Sequence, residues 1–165
     1  MRNKKLIALA AALALTAQTS FATDISGVTG TNGVYNINPE AVKGATGFRH
    51  YENFYLSQQD IANLIMKYGT KDIGTFINLV DNKVNIQGIL NTVRNGEFTP
   101  GHAVFISPKG MVVGASGVLN VGSLSVLTPT ATKYSTLKND ISKIDLSTLK
   151  EDANGDILIR GKVFA

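Results

Sequence analysis

Apolar and polar residues alternate along much of the chain beyond residue 22, which predicts many short β-strands. Residues 34–38 and 84–90 show the alternation most plainly. Further short runs of apolar and β-branched residues are 54–56, 76–80, 102–106, 111–113, 117–121, 123–127 and 156–160. Turn residues separate these runs, as at Asn95-Gly96 and at 107–110, where Pro108 at the first corner predicts a type I or II turn.

Two segments have helical spacing instead. In residues 57–68, Ser57 with Asp60 resembles a capping box, and the local pattern favours a helix, with a strand as the alternative. The apolar positions of that segment are Ile61, Leu64, Ile65 and Tyr68. Residues 133–144 predict a short amphipathic helix. Its apolar face would consist of Tyr134, Leu137, Ile141 and Ile144.

Asparagine is frequent in or beside the apolar runs, although ordinary strands are depleted in it. The positions are Asn36, Asn38, Asn78, Asn82, Asn85, Asn91, Asn95 and Asn120. At the corners of a parallel β-helix, asparagine accepts left-handed backbone angles, and its amide can hydrogen-bond to the next coil. The pattern therefore favours stacked short strands, while an antiparallel sandwich with asparagine in its turns remains an equal alternative.

The first 22 residues have the pattern of an export signal. Three basic residues among the first five precede an apolar run at 6–17, which is shorter than the ~20 residues of a membrane span. Small residues at Ser20 and Ala22 then predict cleavage between Ala22 and Thr23. A buried N-terminal helix is the alternative interpretation of the apolar run.

Removal of this segment changes the charge of the chain. The 165 residues have a formal net charge of +4, but the signal carries three of the 16 Lys and Arg and none of the 12 Asp and Glu. Residues 23–165 therefore carry +1, from 13 basic and 12 acidic residues, and no basic cluster, which removes support for nucleic-acid binding. The composition, 44% hydrophobic, 17% charged and without cysteine, argues against disorder and excludes disulfides and thiolate zinc sites.

Few residues could carry catalysis. His50 and His102 lie 52 positions apart, neither is near a nucleophile motif, and both are interpreted as structural. Residues 151–156 have calcium-like spacing, but a loop starting at Asp152 lacks the glycine and glutamate of an EF-hand, so we expect a hairpin turn at Asn154-Gly155. We therefore expect no catalytic residue, no metal site and no cofactor, in a protein that is not an enzyme.

A set of ordered motifs carries a resemblance to a known family. Residues 101–127 read GHAVFISPKGMVVGASGVLNVGSLSVL. They resemble the filamentous haemagglutinin-type secretion domain of two-partner exoproteins, in which a strand is followed by Asn-Pro-Asn-Gly-Ile, a short strand, a glycine and a further strand. Here the motif reads Ser107-Pro108-Lys109-Gly110-Met111, so the proline and glycine corners remain while serine and lysine stand at the two asparagine positions.

Other segments match the family in the same order, and the similarity covers residues 24–165. These segments are Asn36-Ile37-Asn38, 47–56, 78–90 and 161–165. A second family motif, Asn-Pro-Asn-Leu, has no counterpart in this sequence. In that respect the chain is similar to the subgroup of high-molecular-weight adhesins and leukotoxin-like filamentous adhesins.

The resemblance implies that residues 23–165 form a secretion domain with an all-β fold, a right-handed single-stranded parallel β-helix of the pectate-lyase type with one or two short helical insertions. The implied partner is an outer-membrane barrel transporter with POTRA domains, which exports the unfolded chain to the surface of a Gram-negative-type bacterium or beyond it. Such a domain heads an adhesin whose further partner is a host cell surface or extracellular matrix. We expect a monomer, truncated at its C-terminal end because the sequence stops after a coil-start motif.

Six residues are candidates either for transporter recognition or for shaping the corners of the coil. They are Asn36, Asn38, Ser107, Pro108, Lys109 and Gly110. Other functions for the whole chain remain open: a secreted β-helix enzyme acting on polysaccharide, the N-terminal piece of a contact-dependent inhibition toxin, or a free-standing periplasmic domain.

Overall fold

The computed structural model describes residues 21–150 and 152–165, so residues 1–20 of the export signal predicted for residues 1–22 lie outside the described part of the chain. The strands are, in chain order, β1 (Asp24–Ile25), β2 (Val34–Ile37), β3 (Ala41–Lys43), β4 (Thr46–Tyr51), β5 (Phe54–Leu56), β6 (Ile61–Ile65), β7 (Lys67–Tyr68), β8 (Lys71–Asp72), β9 (Thr75–Val80), β10 (Val84–Ile86), β11 (Ile89–Arg94), β12 (Glu97–Phe98), β13 (His102–Ile106), β14 (Gly110–Val113), β15 (Val118–Asn120), β16 (Ser123–Leu127), β17 (Asp156–Ile159) and β18 (Lys162–Phe164). The helical elements are α1 (Ala131–Asn139), a 3-10 turn (Ile141–Lys143) and α2 (Leu146–Leu149). Among these described residues, no helix has the length and apolar character needed to cross a membrane.

Three sheets form the faces of one coil. In spatial order, sheet A contains β1, β5, β10, β14 and β17, and sheet C contains β3, β4, β9, β13 and β16. Sheet B contains β2, β6, β11, β15 and β18, and its sixth strand, β12, pairs with β11. The chain passes from sheet B to sheet C to sheet A, and on each return it pairs in parallel with the strand of the previous turn. This arrangement is a parallel β-helix. The predicted fold class is confirmed, and the antiparallel sandwich is wrong.

The two ends of the coil differ. At the first rung, β1 lies antiparallel on β5 and β3 lies antiparallel on β4, so sheets A and C both begin with an antiparallel strand. At the other end, β17 and β18 complete sheets A and B with exposed apolar side chains. These side chains are Ile157, Leu158, Ile159 and Phe164, between 43% and 57% exposed.

The interior of the coil is a hydrophobic core to which all three sheets contribute. Its largest fully buried members are Tyr51, Phe54, Phe76, Phe105, Ile37, Leu56, Leu64, Met66, Ile73, Ile86 and Leu90. Leu79 is also fully buried, but it packs in a second cluster on the other face of sheet C. Phe54 packs edge-to-face between Tyr51 and Phe105, with ring centroids 5.2 and 5.3 Å away. Such T-shaped contacts are favourable beyond the area they bury, and these two join the first turn of the β-helix, which contains Tyr51 and Phe54, to the third, which contains Phe105.

One asparagine lies inside this core. The Asn78 side chain is fully buried on β9, and its Oδ1 accepts a hydrogen bond from the Tyr51 hydroxyl at 2.6 Å. Its Nδ2 donates to the carbonyl oxygens of Phe76 (3.3 Å) and Val104 (3.1 Å), the latter on the next rung. These bonds offset the cost of burying an amide. Burial raises the pKa of Tyr51 well above its ordinary value, so its hydroxyl stays a donor.

The helical insertion covers the outer face of sheet C. Thr130 caps α1 by accepting from the Lys133 N–H, and Tyr134 and Leu137 are buried against the sheet. The apolar face predicted for residues 133–144 is confirmed, but the α-helix ends at Asn139, because the Asp140 side chain caps the following 3-10 turn. With both faces covered, the central strands of sheet C are buried on both sides, which explains the nearly continuous apolar runs of β9 and β13.

Residues 57–68 do not form the helix that their local pattern favours. They contain β6, in which Ala62 and Leu64 are buried, and Met66 two residues later is buried as well. This period of two is that of a strand. The neighbouring strands β2 and β11 pair with β6 on both sides, and these long-range hydrogen bonds outweigh the helical preference of the segment.

Two further expectations need correction. The alternating run 84–90 is divided at Gln87-Gly88, where the chain turns from β10 in sheet A to β11 in sheet B. Asn154-Gly155 does not form a hairpin turn; it leads into β17, which pairs in parallel with β14. In both cases the sequence indicates a strand, while the partner strand and the corner come from stacking of distant turns.

Glycine occupies one corner of the coil because the turns approach closely there. Gly88, Gly117 and Gly161 precede the aligned residues of β11, β15 and β18. A Cβ atom at Gly117 would lie 2.6 Å from the carbonyl oxygen of Ile86, and one at Gly161 would collide with the carbonyl oxygen of Gly117.

Gly117→Ala should therefore lower the free energy of unfolding by about 1–3 kcal/mol, the usual cost of overpacking. Urea unfolding followed by circular dichroism measures this change. Gly74→Ala is the matched control, because a Cβ atom there meets nothing within 4 Å, and its effect should stay within about 0.5 kcal/mol. Equal stabilities of the two variants would contradict the close approach of successive turns at Gly117.

Candidate functional site

The motif 107–110 forms the corner between β13 in sheet C and β14 in sheet A. The Gly110 N–H donates to the Ser107 carbonyl oxygen at 3.3 Å, which closes the predicted turn. Ser107 Oγ accepts from the Lys109 N–H at 3.2 Å and donates to the Asn82 carbonyl oxygen of the previous rung at 2.9 Å. Gly110 has a φ of 87°, a left-handed value that favours glycine. Serine here makes the same local turn that asparagine makes.

A column of polar side chains runs along this corner, and we call it the corner ladder. Asn53 Nδ2 donates to Asp24 Oδ2 (3.1 Å), Asn82 Nδ2 donates to Asn53 Oδ1 (2.7 Å), and Lys109 Nζ donates to Asn82 Oδ1 (3.2 Å). Each donor points along the column toward the carboxylate of Asp24. The ladder therefore has an anion at its first rung and an exposed cation, Lys109, at its last rung.

Asn36 and Asn38 lie elsewhere, on and just after β2 in sheet B. Asn36 begins a second column, the asparagine ladder, which consists of Asn36, Asn63, Asn91 and Asn120 in register on β2, β6, β11 and β15. The structure therefore divides the six candidate residues between two surfaces. Asn63 was missed because its segment has a helical pattern, and its spacing of 27 and 28 residues from Asn36 and Asn91 was the available signal.

A groove of about 860 Å³ follows the asparagine ladder. Its lining consists of Asn36, Asn38, Asn63, Ile65, Asn91, Val93, Gly96, Phe98, Asn120 and Phe164. Ten residues form its walls and none of them is charged. The Phe98 ring is 58% exposed on β12, and the Phe164 ring is 57% exposed on β18.

A third polar cluster joins the coil to the helical insertion at Asp81. Asp81 Oδ1 accepts hydrogen bonds from His50 Nε2 (2.8 Å), from the Tyr134 hydroxyl (2.9 Å) and from Lys138 Nζ (3.4 Å). Burial acts to raise the pKa of the Asp81 carboxyl, but the hydrogen bonds from His50 and Tyr134 outweigh burial and hold the pKa below its usual value. Burial and the neighbouring carboxylate both raise the pKa of Tyr134, so its hydroxyl remains a donor to Asp81.

His102 lies apart from His50, on β13. Its Nε2 is 2.7 Å from Ser125 Oγ on the neighbouring strand β16, and burial lowers the pKa of His102. Within residues 21–150 and 152–165, no three histidine or carboxylate side chains come together as metal ligands. Asp152, from the calcium-like segment, instead pairs with Lys133 Nζ at 2.9 Å.

Because the pKa of Asp81 is depressed in the folded state, its contribution to stability is present above its unfolded pKa of about 3.9 and is lost as pH falls through its lower folded pKa. At pH 7, Asp81→Asn should lower the free energy of unfolding by about 1 kcal/mol, since the groups are partly exposed. The variant should also lose part of the acid sensitivity of the unchanged chain. Urea unfolding at pH 7 and at pH 3 tests both effects.

Asp72→Asn is the control for this experiment, because the Asp72 side chain is 60% exposed and its ion pairs with Lys67 and Arg94 are 3.9 and 3.6 Å long. It should change stability by less than Asp81→Asn at neutral pH. If the acid sensitivity of the chain stays the same in Asp81→Asn, the Asp81 cluster does not anchor the insertion.

Comparisons of the chain with family models, with curated proteins and with solved structures found no match. The resemblance to two-partner secretion exoproteins therefore rests on the motifs themselves and on their order along the chain.

Proposed function

We propose that residues 23–165 are the N-terminal secretion module of an exported protein, recognised by an outer-membrane barrel transporter and seeding β-helix folding outside the cell. The observation that carries this proposal is the difference between the two ends of the β-helix. Sheets A and C begin with antiparallel strands, whereas the last rung offers exposed apolar side chains at Ile157, Leu158 and Phe164.

This difference between the ends is what is expected of a fold that adds new turns at one end only. A rung of a β-helix buries its apolar face only when a neighbouring rung stacks on it, so a completed rung is a template for the next one. The strand edges of β17 and β18 present the unpaired backbone groups that such a template needs. Outside the cell, where no ATP is present, stacking of emerging turns would bias movement of the chain outward.

Thr23, the first residue after the predicted cleavage site, is bound to the first rungs. Its hydroxyl donates to the Asp60 carboxylate and accepts from the Ser57 N–H at 2.9 Å. Cleavage after Ala22 would therefore leave an N-terminus that is already fixed to the coil. We expect mass spectrometry of the exported chain to find Thr23 as its first residue; a chain that retains residues 1–22 after export would contradict the signal-peptide prediction.

Within the corner motif, the residues divide by exposure. Ser107 and Gly110 are buried and shape the turn, whereas Pro108 is half-buried and Lys109 is exposed. A transporter could therefore contact Pro108 and Lys109 directly, and Ser107 and Gly110 would act by holding them in place. Under this proposal, Pro108 and Lys109 take the recognition role, and Ser107 and Gly110 take the corner-shaping role.

Lys109→Ala should lower secretion of the chain about fivefold, the effect of losing one interface contact of ordinary strength. The measurement is the secreted fraction when the chain is expressed with an outer-membrane barrel transporter of the high-molecular-weight adhesin class. Lys71→Ala is the matched control, since Lys71 is an exposed lysine on the β7–β8 hairpin.

Three outcomes separate the possibilities. Equal secretion of Lys109→Ala and Lys71→Ala would remove Lys109 from the recognition role. Release of the unchanged chain to the medium only when the transporter is present supports the proposed function. Retention of the folded chain in the periplasm in both cases would contradict it and would favour a free-standing periplasmic domain.

A further inference from the structure

The two inner amides of the asparagine ladder each leave half of their hydrogen-bonding capacity unused. Three amide-to-amide bonds join it: Asn63 Nδ2 to Asn36 Oδ1 (3.0 Å), Asn91 Nδ2 to Asn63 Oδ1 (3.0 Å) and Asn120 Nδ2 to Asn91 Oδ1 (2.8 Å). A carboxamide has two N–H donors and an oxygen with two lone pairs. Each inner amide of the ladder therefore retains one donor and one acceptor on the outer face of sheet B.

The side of the groove next to the ladder is apolar. Ile65 and Val93 follow Asn63 and Asn91 by two residues, so they lie on the same face of sheet B. Phe98 is paired with Val93 across the β11–β12 hairpin, and Phe164 is aligned with Asn120 at the end of the ladder. Two phenylalanine rings that are both more than half exposed beside one groove are unusual for a solvent-facing surface.

The chemistry of the walls limits what the groove can bind. None of the ten lining residues is charged, so there is no counter-charge for a phosphate, a sulfate or a uronic acid. The backbone groups of β6, β11 and β15 are paired within sheet B, so a peptide lying on this face could not extend the sheet. The suitable ligand is neutral, rich in hydroxyl groups, and apolar on one side.

We propose that this groove binds a neutral polysaccharide whose chain runs along the axis of the coil. Strands in a sheet lie about 4.8 Å apart, so one amide of the ladder is presented for about each sugar unit of an extended pyranose chain. The spare N–H and oxygen of each amide pair with sugar hydroxyls, and the C–H faces of the sugar rings pack on Phe98 and Phe164. The volume of about 860 Å³ is within the range of small-molecule ligand sites in proteins.

The glycan groove shares Phe164 with the last rung and Asn36 and Asn38 with the candidate recognition residues, but it does not include the corner motif. The asparagine ladder is on sheet B, whereas the corner motif joins sheets C and A. Lys109→Ala should therefore leave glycan binding unchanged, and a variant that no longer binds glycan should still be secreted.

Side-chain amide spectra of the purified ¹⁵N-labelled protein test the proposal directly. The probes are the neutral oligosaccharides cellohexaose, mannohexaose and chitohexaose, with hexagalacturonate as the anionic comparison. We expect saturable shifts of the amide signals of Asn63, Asn91 and Asn120 with at least one neutral hexamer. Hexagalacturonate should cause no such shifts. Absence of shifts at millimolar concentrations of every neutral probe would overturn the proposal.

Phe98→Ala tests the apolar wall without disturbing the core, because the ring is exposed. It should raise the dissociation constant of the neutral hexamer about fivefold, as expected for the loss of one aromatic contact. Tyr55→Ala removes a half-exposed ring from sheet A and should leave binding unchanged. Asn91→Asp breaks the ladder with little change of size, since a carboxylate cannot donate to Asn63 Oδ1, and it should abolish the shift of Asn63.

Thermal unfolding of each variant establishes that it is folded, and if Asn91→Asp fails to fold, Phe98→Ala carries the test. Equal weakening by Phe98→Ala and Tyr55→Ala would overturn the assignment of the groove. So would binding of an unstructured peptide at the same amides with an affinity higher than that of every neutral hexamer.

Discussion

Each rung of this β-helix buries its interior side chains only against the rungs on either side of it, in a register fixed by parallel backbone hydrogen bonds. With strands about 4.8 Å apart, whatever occupies one position in a turn must be compatible with the residue at the same position in the next turn. Three kinds of column in the structure meet this requirement, because each repeats residues that are compatible with one another from turn to turn. Apolar side chains stack inside, glycines stack where a Cβ atom would meet a carbonyl oxygen, and amides stack outside.

Asparagine suits such a column because one short, neutral side chain carries both a donor and an acceptor. Four identical amides therefore bind one another along sheet B, whereas four aspartates would repel one another. The corner ladder is shorter and ends in opposite charges, with Asp24 accepting at one end and Lys109 donating at the other. The two ladders thus present different surfaces, one neutral and amphipathic, the other ending in an exposed cation.

The helical insertion changes the solenoid locally. It lies between β16 and β17 and therefore lengthens one turn. The residue aligned with Asn120 is Phe164, and this spacing is longer than the 27 to 29 residues between successive asparagines of the ladder. The insertion also covers sheet C, and Asp81 ties its first helix to the coil. The asparagine ladder consequently ends in an exposed aromatic ring, and the same ring is part of the apolar last rung.

The amino-acid pattern by itself determined the strand content, most strand positions and the turn at 107–110, because alternation and turn residues act over short distances. It also indicated that asparagine amides could bond between coils, although it left the β-helix and the sandwich equally open. The tertiary structure decided three matters that depend on contacts between distant residues. It made residues 61–65 a strand between β2 and β11, it divided the run 84–90 at a glycine where turns nearly touch, and it sent Asn36 and Ser107 to different surfaces. A residue's neighbours in the next turn of the β-helix are about 28 positions away in the sequence, so no local pattern can specify them.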